Sequence, residues 1–266
     1  MSKRKRRATA VTIAGSDSGG GAGIQADLKT FAALNVHGTT AITCITAQNP
    51  KAVLGIAAIR PALVEQQLEA IFSGFQPRAV KTGMLFSSEI ISVVATFLRG
   101  RRVQLIVDPV MIATSGASLL KPSAVRALEE KLLPLATLVT PNLDEAEALV
   151  GEKIRSLEDL RASAKRIYQA FGCAALVKGG HLPGAQAVDF FCDGKREFAL
   201  RARFIKGASL HGSGCTYSAA ITAYLTLGHD LLSSIQLAKK FITRRFRSSE
   251  QLSAPGAELN RGKFSL

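Results

Sequence analysis

Short apolar runs, many of them β-branched, alternate with helical patterns along most of this chain. That alternation restricts the fold more than any other feature. The runs are Ala10–Ala14, Thr39–Thr46, Ala79–Lys81, Val103–Val107, Leu135–Thr140 and Ala174–Val177, and each reads as a buried strand. Helical periodicity covers Ile24–Leu34, Pro61–Phe72, Ser87–Leu98, Pro122–Leu132, Leu143–Val150 and Leu157–Phe171. Punctuation agrees: Pro61 suits a first helical position, Ser87 an N-cap, and Gly151 a helix end. Strands alternating with helices predict an α/β fold, a central mostly parallel sheet with helices on both faces. Runs 187–192 and 196–203 flank Asp193-Gly194-Lys195 and predict a β-hairpin. Helices over 215–227 and 231–246 complete the pattern.

Parallel sheets of this kind bind ligands beyond the carboxyl ends of their strands. The unusual polar residues fall at those ends: Gln48, Thr82, Asp108, Asn142 and Lys178, with Gly15 and Gly83 beside them. Five polar residues after five different strands predict one site along one edge.

The 266 residues, 47% of them hydrophobic, suit one large α/β domain. The formal charge of +14 is concentrated at the ends. Residues 3–7 contribute +5, and 239–263 carry seven bases against two acids, while 8–238 hold 22 bases and 18 acids. The expected organisation is a disordered basic tail over 1–8, a single domain over 9–250 and an extension over 251–266. A basic tail can also bind nucleic acid, so a nucleic-acid-associated protein is kept as an alternative of a different class. No run resembles a signal peptide or a membrane helix, and the four cysteines lack CxxC spacing. A cytoplasmic protein with reduced thiols and no membrane partner is the expectation.

Gly15–Gly23 holds five glycines in nine residues but lacks the ending of a P-loop and an intact GxGxxG. It reads as a loop that lets backbone approach a flat ligand. Asp27, one turn past Gly23, is either a ligand acceptor or a solvated surface acid. Asp108 ends an apolar strand before proline and needs a base or metal as partner, unless it is a turn residue. Asn142 and Glu145 have capping-box spacing. Lys178 precedes two glycines and reaches either a phosphate or solvent. His211-Gly212-Ser213-Gly214-Cys215-Thr216 opens a helix, and its backbone N–H groups form an anion cradle. Cys215 at that helix start is expected to have a lowered thiol pKa, unless it is a buried, inert cysteine. An anion cradle beside a base is what phosphoryl transfer to an alcohol requires.

Several segments together resemble the hydroxymethylpyrimidine/phosphomethylpyrimidine kinases of thiamine synthesis, within the ribokinase-like superfamily. They are Thr12–Phe31, Thr46–Asn49, Val80–Leu85, Val107–Met111, Leu119-Leu120, Thr140–Ala146, Lys178–His181 and His211–Thr216, in the family's order. The resemblance implies a ribokinase-like three-layer sandwich. It implies an ATP- and Mg²⁺-dependent kinase acting on 4-amino-5-hydroxymethyl-2-methylpyrimidine and then on its monophosphate, and a homodimer as the expected assembly. Carried over, Cys215 is the base, and Gly212, Ser213 and Gly214 form the anion hole. Asp108 and Glu145 organise Mg²⁺ indirectly, through water or phosphate. With Asn142 and Lys178 they form the nucleotide and phosphate site. Gln48 reads the pyrimidine edge, with Asp27, Gly15, Met84 and Val110 lining the pocket. Departures from the family are Ser213 in place of threonine, Lys206–Leu210 in place of paired threonines, and Pro50-Lys51 after Gln48-Asn49. A pyridoxine or pyridoxal kinase of the same superfamily is the alternative within the class.

Overall fold

The computed structural model describes residues 7–49, 52–111, 120–180, 182, 186–203 and 212–253, with side chains through Arg245. The basic run up to Arg6, Pro50-Lys51, Leu119, His181, Lys206–His211 and the segment from 254 onward lie outside the described residues.

One sheet of nine strands organises the described chain. Its strands are β1 (Thr9–Asp17), β2 (His37–Gln48), β3 (Val53–Ala58), β4 (Ala79–Thr82), β5 (Gln104–Val107), β6 (Leu138–Val139), β7 (Ala174–Gly179), β8 (Gln186–Cys192) and β9 (Glu197–Arg203). They lie in the order β3-β2-β1-β4-β5-β6-β7-β8-β9. Neighbours from β2 through to β7 are parallel, whereas β3, β8 and β9 join antiparallel at the two edges. Chain order reverses direction between β1 and β4, a switch point of the kind where open sheets leave a crevice.

Helices α1 (Gly23–Ala33), α7 (Ser213–Thr226) and α8 (Leu231–Ser253) cover one face. Helices α2 (Pro61–Phe75), α3 (Ser88–Leu98), α4 (Pro122–Ala127), α5 (Leu143–Val150) and α6 (Leu157–Phe171) belong to the other. The strands show why both faces close. Val11, Val80, Leu105 and Val177 pack on the α2/α3/α6 side, while Ala10, Ala79, Ile106 and Leu176 pack on the α1/α7/α8 side. This period-2 split of buried apolar side chains is what burial on both faces requires. The helices stop and start on local chemistry. Ser87 accepts from the Ile90 N–H, and Ser156 with Asp159 forms a capping box. Each such cap contributes about 1 kcal/mol.

Five elements differ from the sequence reading. β1 runs on to Asp17 across a bulge between Ala14 and Ser16, so the glycine loop begins only at Ser18. Gly15 fits there because it has no side chain: a Cβ would stand 2.7 Å from Cys44 Sγ. β3 was not expected. Its Val-Leu-Gly-Ile-Ala-Ala run does not alternate, and as an edge strand it packs on nothing that would impose a pattern. The strand expected over 135–140 shrinks to Leu138–Val139, because Pro134 sits in a 3₁₀ turn, Leu133–Leu135. The helix expected over 122–132 passes from α4 into a π-helical turn at Leu128–Leu132. α8 is longer than expected and reaches Ser253.

Candidate active site

Strand parity decides which side chains meet. Lys81 follows Ala79 by two positions, Asp108 follows Ile106, and Lys178 follows Leu176. All three therefore project to the face covered by α1 and α7. At the parallel strand ends Lys178 Nζ donates to Asp108 Oδ1 at 3.0 Å, and Thr140 Oγ1 donates to the same oxygen at 3.3 Å. Ser218, one turn into α7, donates to Asp108 Oδ2 at 3.1 Å. Burial alone would push the Asp108 carboxyl up. The Lys178 and Lys81 ammonium groups and the hydrogen bonds from Lys178 and Ser218 reverse that and hold it below the usual carboxylate range.

Glu145 stands beside this pair. Its Oε2 accepts the Asn142 N–H at 2.8 Å, and Asn142 Oδ1 accepts the Glu145 N–H at 2.9 Å. The capping box and the site thus use the same residues, and Asn142 commits its side-chain oxygen to the helix. Asn142 also bridges to Lys178 through the backbone, which fixes α5 to the end of β7. Burial pushes the Glu145 carboxyl up to about 7 and nearby Asp108 adds to the rise, against the lowering effect of the Lys178 ammonium.

The glycines at the start of α7 allow close approach from two sides. Gly212 has φ +73°, and a Cβ there would collide with the Gly21 carbonyl. A Cβ at Gly214 would meet Lys178 Nζ at 3.1 Å. No side chain caps α7, so its first-turn N–H groups are left as anion donors, with Ser213 as the first helical residue. The glycine loop itself is no phosphate cradle. The Asp17 carboxylate already accepts the N–H groups of Gly19, Gly21 and Ala22 at 2.8, 3.0 and 2.8 Å. The loop instead ties two parts of the site together. Its Ser18 Oγ exchanges hydrogen bonds with the Gln48 backbone at 2.8 Å, while its Gly21 packs on Gly212.

Gln48, at the end of β2, is partly exposed, and its Oε1 accepts from Thr46 Oγ1 at 3.2 Å. Gly15 sits between Cys44 Sγ and Met84 Sδ, at 2.7 and 3.9 Å from the position its Cβ would take. Val110 follows Asp108 and donates its N–H to the Asp108 carbonyl at 2.9 Å.

Two expectations are corrected. Asp27 is neither a solvated acid nor part of the pocket wall. It is fully buried, and its Oδ2 accepts Thr12 Oγ1 at 2.6 Å and Lys81 Nζ at 2.9 Å. The Cys215 thiol is not lowered. Burial pushes it up to about 11, because desolvation and the Asp108 and Asp27 charges outweigh the Lys81 ammonium and the Gly23 N–H that donates to the sulfur.

Lys81, Ser218, Thr140 and Cys44 were missed by sequence reasoning. A signal existed for Lys81 alone: a charged residue within Ala-Val-Lys-Thr, a strand otherwise read as buried. Ser218 and Thr140 are small hydroxyls whose role appears only when α7 and the end of β6 meet Asp108.

Among the described residues no group of three or more His, Cys, Asp or Glu side chains is placed to hold a metal ion. Both Asp108 oxygens already accept protein hydrogen bonds. Asp108 and Glu145 therefore fit Mg²⁺ as indirect partners, through water or phosphate oxygens.

A family profile described as phosphomethylpyrimidine kinase matches residues 17–258. A hydroxymethylpyrimidine/phosphomethylpyrimidine kinase of Synechococcus elongatus is 47% identical over 241 residues, covering 90% of this chain and 92% of that one. The thiamine biosynthesis bifunctional protein of Geobacter sulfurreducens is 45% identical over 247 residues, and the match covers 92% of this chain but only 50% of the relative's length. Among solved structures, the ADP complex of Bacillus subtilis pyridoxal kinase superposes with a TM-score of 0.82 at 41% identity, covering 88% of this chain and 90% of that one.

Proposed function

Because the chain belongs to the phosphomethylpyrimidine kinase family, we propose that it phosphorylates 4-amino-5-hydroxymethyl-2-methylpyrimidine, and then the monophosphate to the diphosphate, at the expense of ATP. The observation that carries this reading is the meeting of Lys178, Asp108 and the start of α7. A paired lysine and uncapped N–H groups stand at the first turn of α7, which carries Cys215. We assign the kinase unit to residues 9–250.

In this reading the pyrimidine lies against Met84, Gly15 and Val110, and the Gln48 amide, both donor and acceptor, reads its edge. Gln48 is positioned by Ser18. The substrate oxygen attacks the γ-phosphorus, ADP leaves, and the hydroxyl proton passes to Cys215 in its thiolate form. Lys178 and the anion hole of Gly212, Ser213 and Gly214 hold the phosphoryl oxygens as charge develops. Mg²⁺ bound with ATP would neutralise phosphate charge beside Asp108 and Glu145. A cytoplasmic location is supported by four free cysteines. No helix of the described residues is long and apolar enough to cross a membrane. A homodimer is supported by edge strand β3, exposed along nearly its whole length, with Leu54 at 76%.

The test is a kinase assay with the pyrimidine alcohol, its monophosphate and pyridoxal, run on the parent and on Cys215→Ala. The parent should act on both pyrimidines. Cys215→Ala should lower kcat by roughly 10²–10⁴-fold, as loss of a positioned base does, with little change in KM for the pyrimidine. Activity on pyridoxal but not on the monophosphate would replace this reading with the pyridoxal kinase one.

A further inference from the structure

Helix α1 carries no side-chain N-cap, and its first N–H, from Gly23, donates to the Cys215 sulfur. One turn later the same helix presents Asp27, whose Oδ2 accepts Lys81 Nζ at 2.9 Å. Lys81 comes from β4 with no exposure at all, and a Cβ on Gly83 would stand 3.2 Å from its Nζ. A lysine and an aspartate sealed inside a sheet–helix layer are costly, and an apolar pair of the same volume would be as stable or more so. Something other than stability is therefore expected to explain them. Asp27 Oδ1 adds to the cost, for it is buried without a hydrogen-bond partner.

We propose that Lys81, clamped by Asp27, is a positioning residue for proton transfer at Cys215: its buried ammonium is the counter-charge for the thiolate. The geometry is one shared helix: the start of α7, which carries Cys215, packs on the start of α1, where a Cβ on Gly212 would collide with the Gly21 carbonyl and stand 3.1 Å from Ala22 Cα, and Asp27, one turn into α1, holds Lys81. The charged groups facing the sulfur are Lys81 from β4, Asp27 from α1, Asp108 from the end of β5 and Lys178 from the end of β7. The two aspartates oppose ionisation of the thiol. Lys81 is the one cation facing the sulfur that is paired to α1, the helix whose first N–H reaches it. Proton bookkeeping is simple. The thiol releases its proton to solvent and later takes the proton of the substrate hydroxyl as the O–P bond forms. Lys81 keeps its own proton throughout.

The inference rests on Cys215 acting as the base, so its test reads the sulfur directly and not turnover alone. Iodoacetamide alkylation of Cys215 is followed against pH, with Cys215→Ala giving the background from buried Cys44, Cys173 and Cys192. The double variant Lys81→Met/Asp27→Leu replaces the ion pair with apolar groups and should fold. Its alkylation at pH 8 should slow and its pH profile should move up, because the Lys81 ammonium acts on the sulfur more strongly than the Asp27 carboxylate removed with it. Its kcat should fall while KM for the pyrimidine stays. Asp27→Asn keeps the ammonium and removes a negative charge, so its sulfur should react as fast as the parent's or faster. Equal slowing in both variants would make the pair a mere brace, and unchanged alkylation in the double variant would remove Lys81 from the chemistry. The parent–double comparison decides even if Asp27→Asn does not fold. A kinase that turned over some other alcohol would change the activity assay and leave the alkylation result standing.

Discussion

Two lysine–aspartate pairs lie side by side on the α7 face of the sheet, and they differ in almost everything except burial. Lys178 and Asp108 have side chains 13% and 3% exposed; Lys239 and Asp189 have 13% and 4%. Their N–O distances are 3.0 and 2.6 Å. Lys178 and Asp189 even face each other across the β7–β8 ladder. Yet Asp108 stands at the carboxyl ends of parallel strands, accepts from three side chains and has a second carboxyl, Glu145, close enough to shift. Asp189 lies within antiparallel β8 and joins it to α8, with Lys239 Nζ 5.9 Å from the Tyr217 ring centroid. Burial and pairing alone do not separate the Lys178–Asp108 pair, which we propose reacts, from the Lys239–Asp189 pair, which braces. Position relative to strand ends and to an uncapped helix start does, because only there can an incoming anion join the pair.

The comparison breaks most sharply on Asp108. Asp108→Asn keeps one accepting oxygen, for Thr140 or for Ser218 but not for both, and removes the charge that fixes Lys178. Turnover should fall by roughly 10²–10³-fold, the usual cost of losing one electrostatic element of such a site, and the Mg²⁺ requirement should rise. Steady-state kinetics over a Mg²⁺ titration measure both. A variant of near-parent kcat and unchanged Mg²⁺ dependence would place Asp108 with the braces.

Asp189→Asn should do the reverse. Leaving Lys239 buried without its partner costs on the order of 3–5 kcal/mol, and a chain of this size loses about 2–4 °C per kcal/mol. A drop near 10 °C in Tm with kcat within a few-fold of the parent is expected, by thermal melt and assay. The double change Asp189→Leu/Lys239→Met should recover most of the Tm.

How much of this was legible beforehand follows the same division. Gln48, Asp108, Asn142 and Lys178 could be read because each interrupts an apolar strand at its end, a one-dimensional signal. Capping of α5 could be read because Asn142 and Glu145 are three apart. Lys81 sits inside a strand, so its meaning depends on Asp27, 54 residues away in sequence. For Cys215 the sequence left two readings, a lowered thiol at a helix start or a buried, inert one, and could not choose between them; burial, with the approach of Asp108 and Asp27, decides for the raised thiol. β3 escaped because an exposed edge leaves no pattern.

The smallest effect concerns Glu145, the neighbour that Asp108 has and Asp189 lacks. Its carboxyl is raised from 4.5 to about 7 in the folded protein. The sign follows from proton counts. Between those values the folded chain holds a proton that the unfolded chain has released, so stability falls as pH rises through that window. Below pH 4.5 both states are protonated and the penalty vanishes; above 7 it is complete. Glutamine keeps the capping-box spacing and cannot ionise. Glu145→Gln should therefore flatten the decline in Tm between pH 5 and 7, gaining a few degrees at pH 7 and little at pH 5. Melts across that range, compared with the parent, measure it. An unchanged slope would mean that Lys178 already neutralises Glu145 in the folded state, and the site would then differ from the Asp189–Lys239 brace in its donors but not in its charge balance.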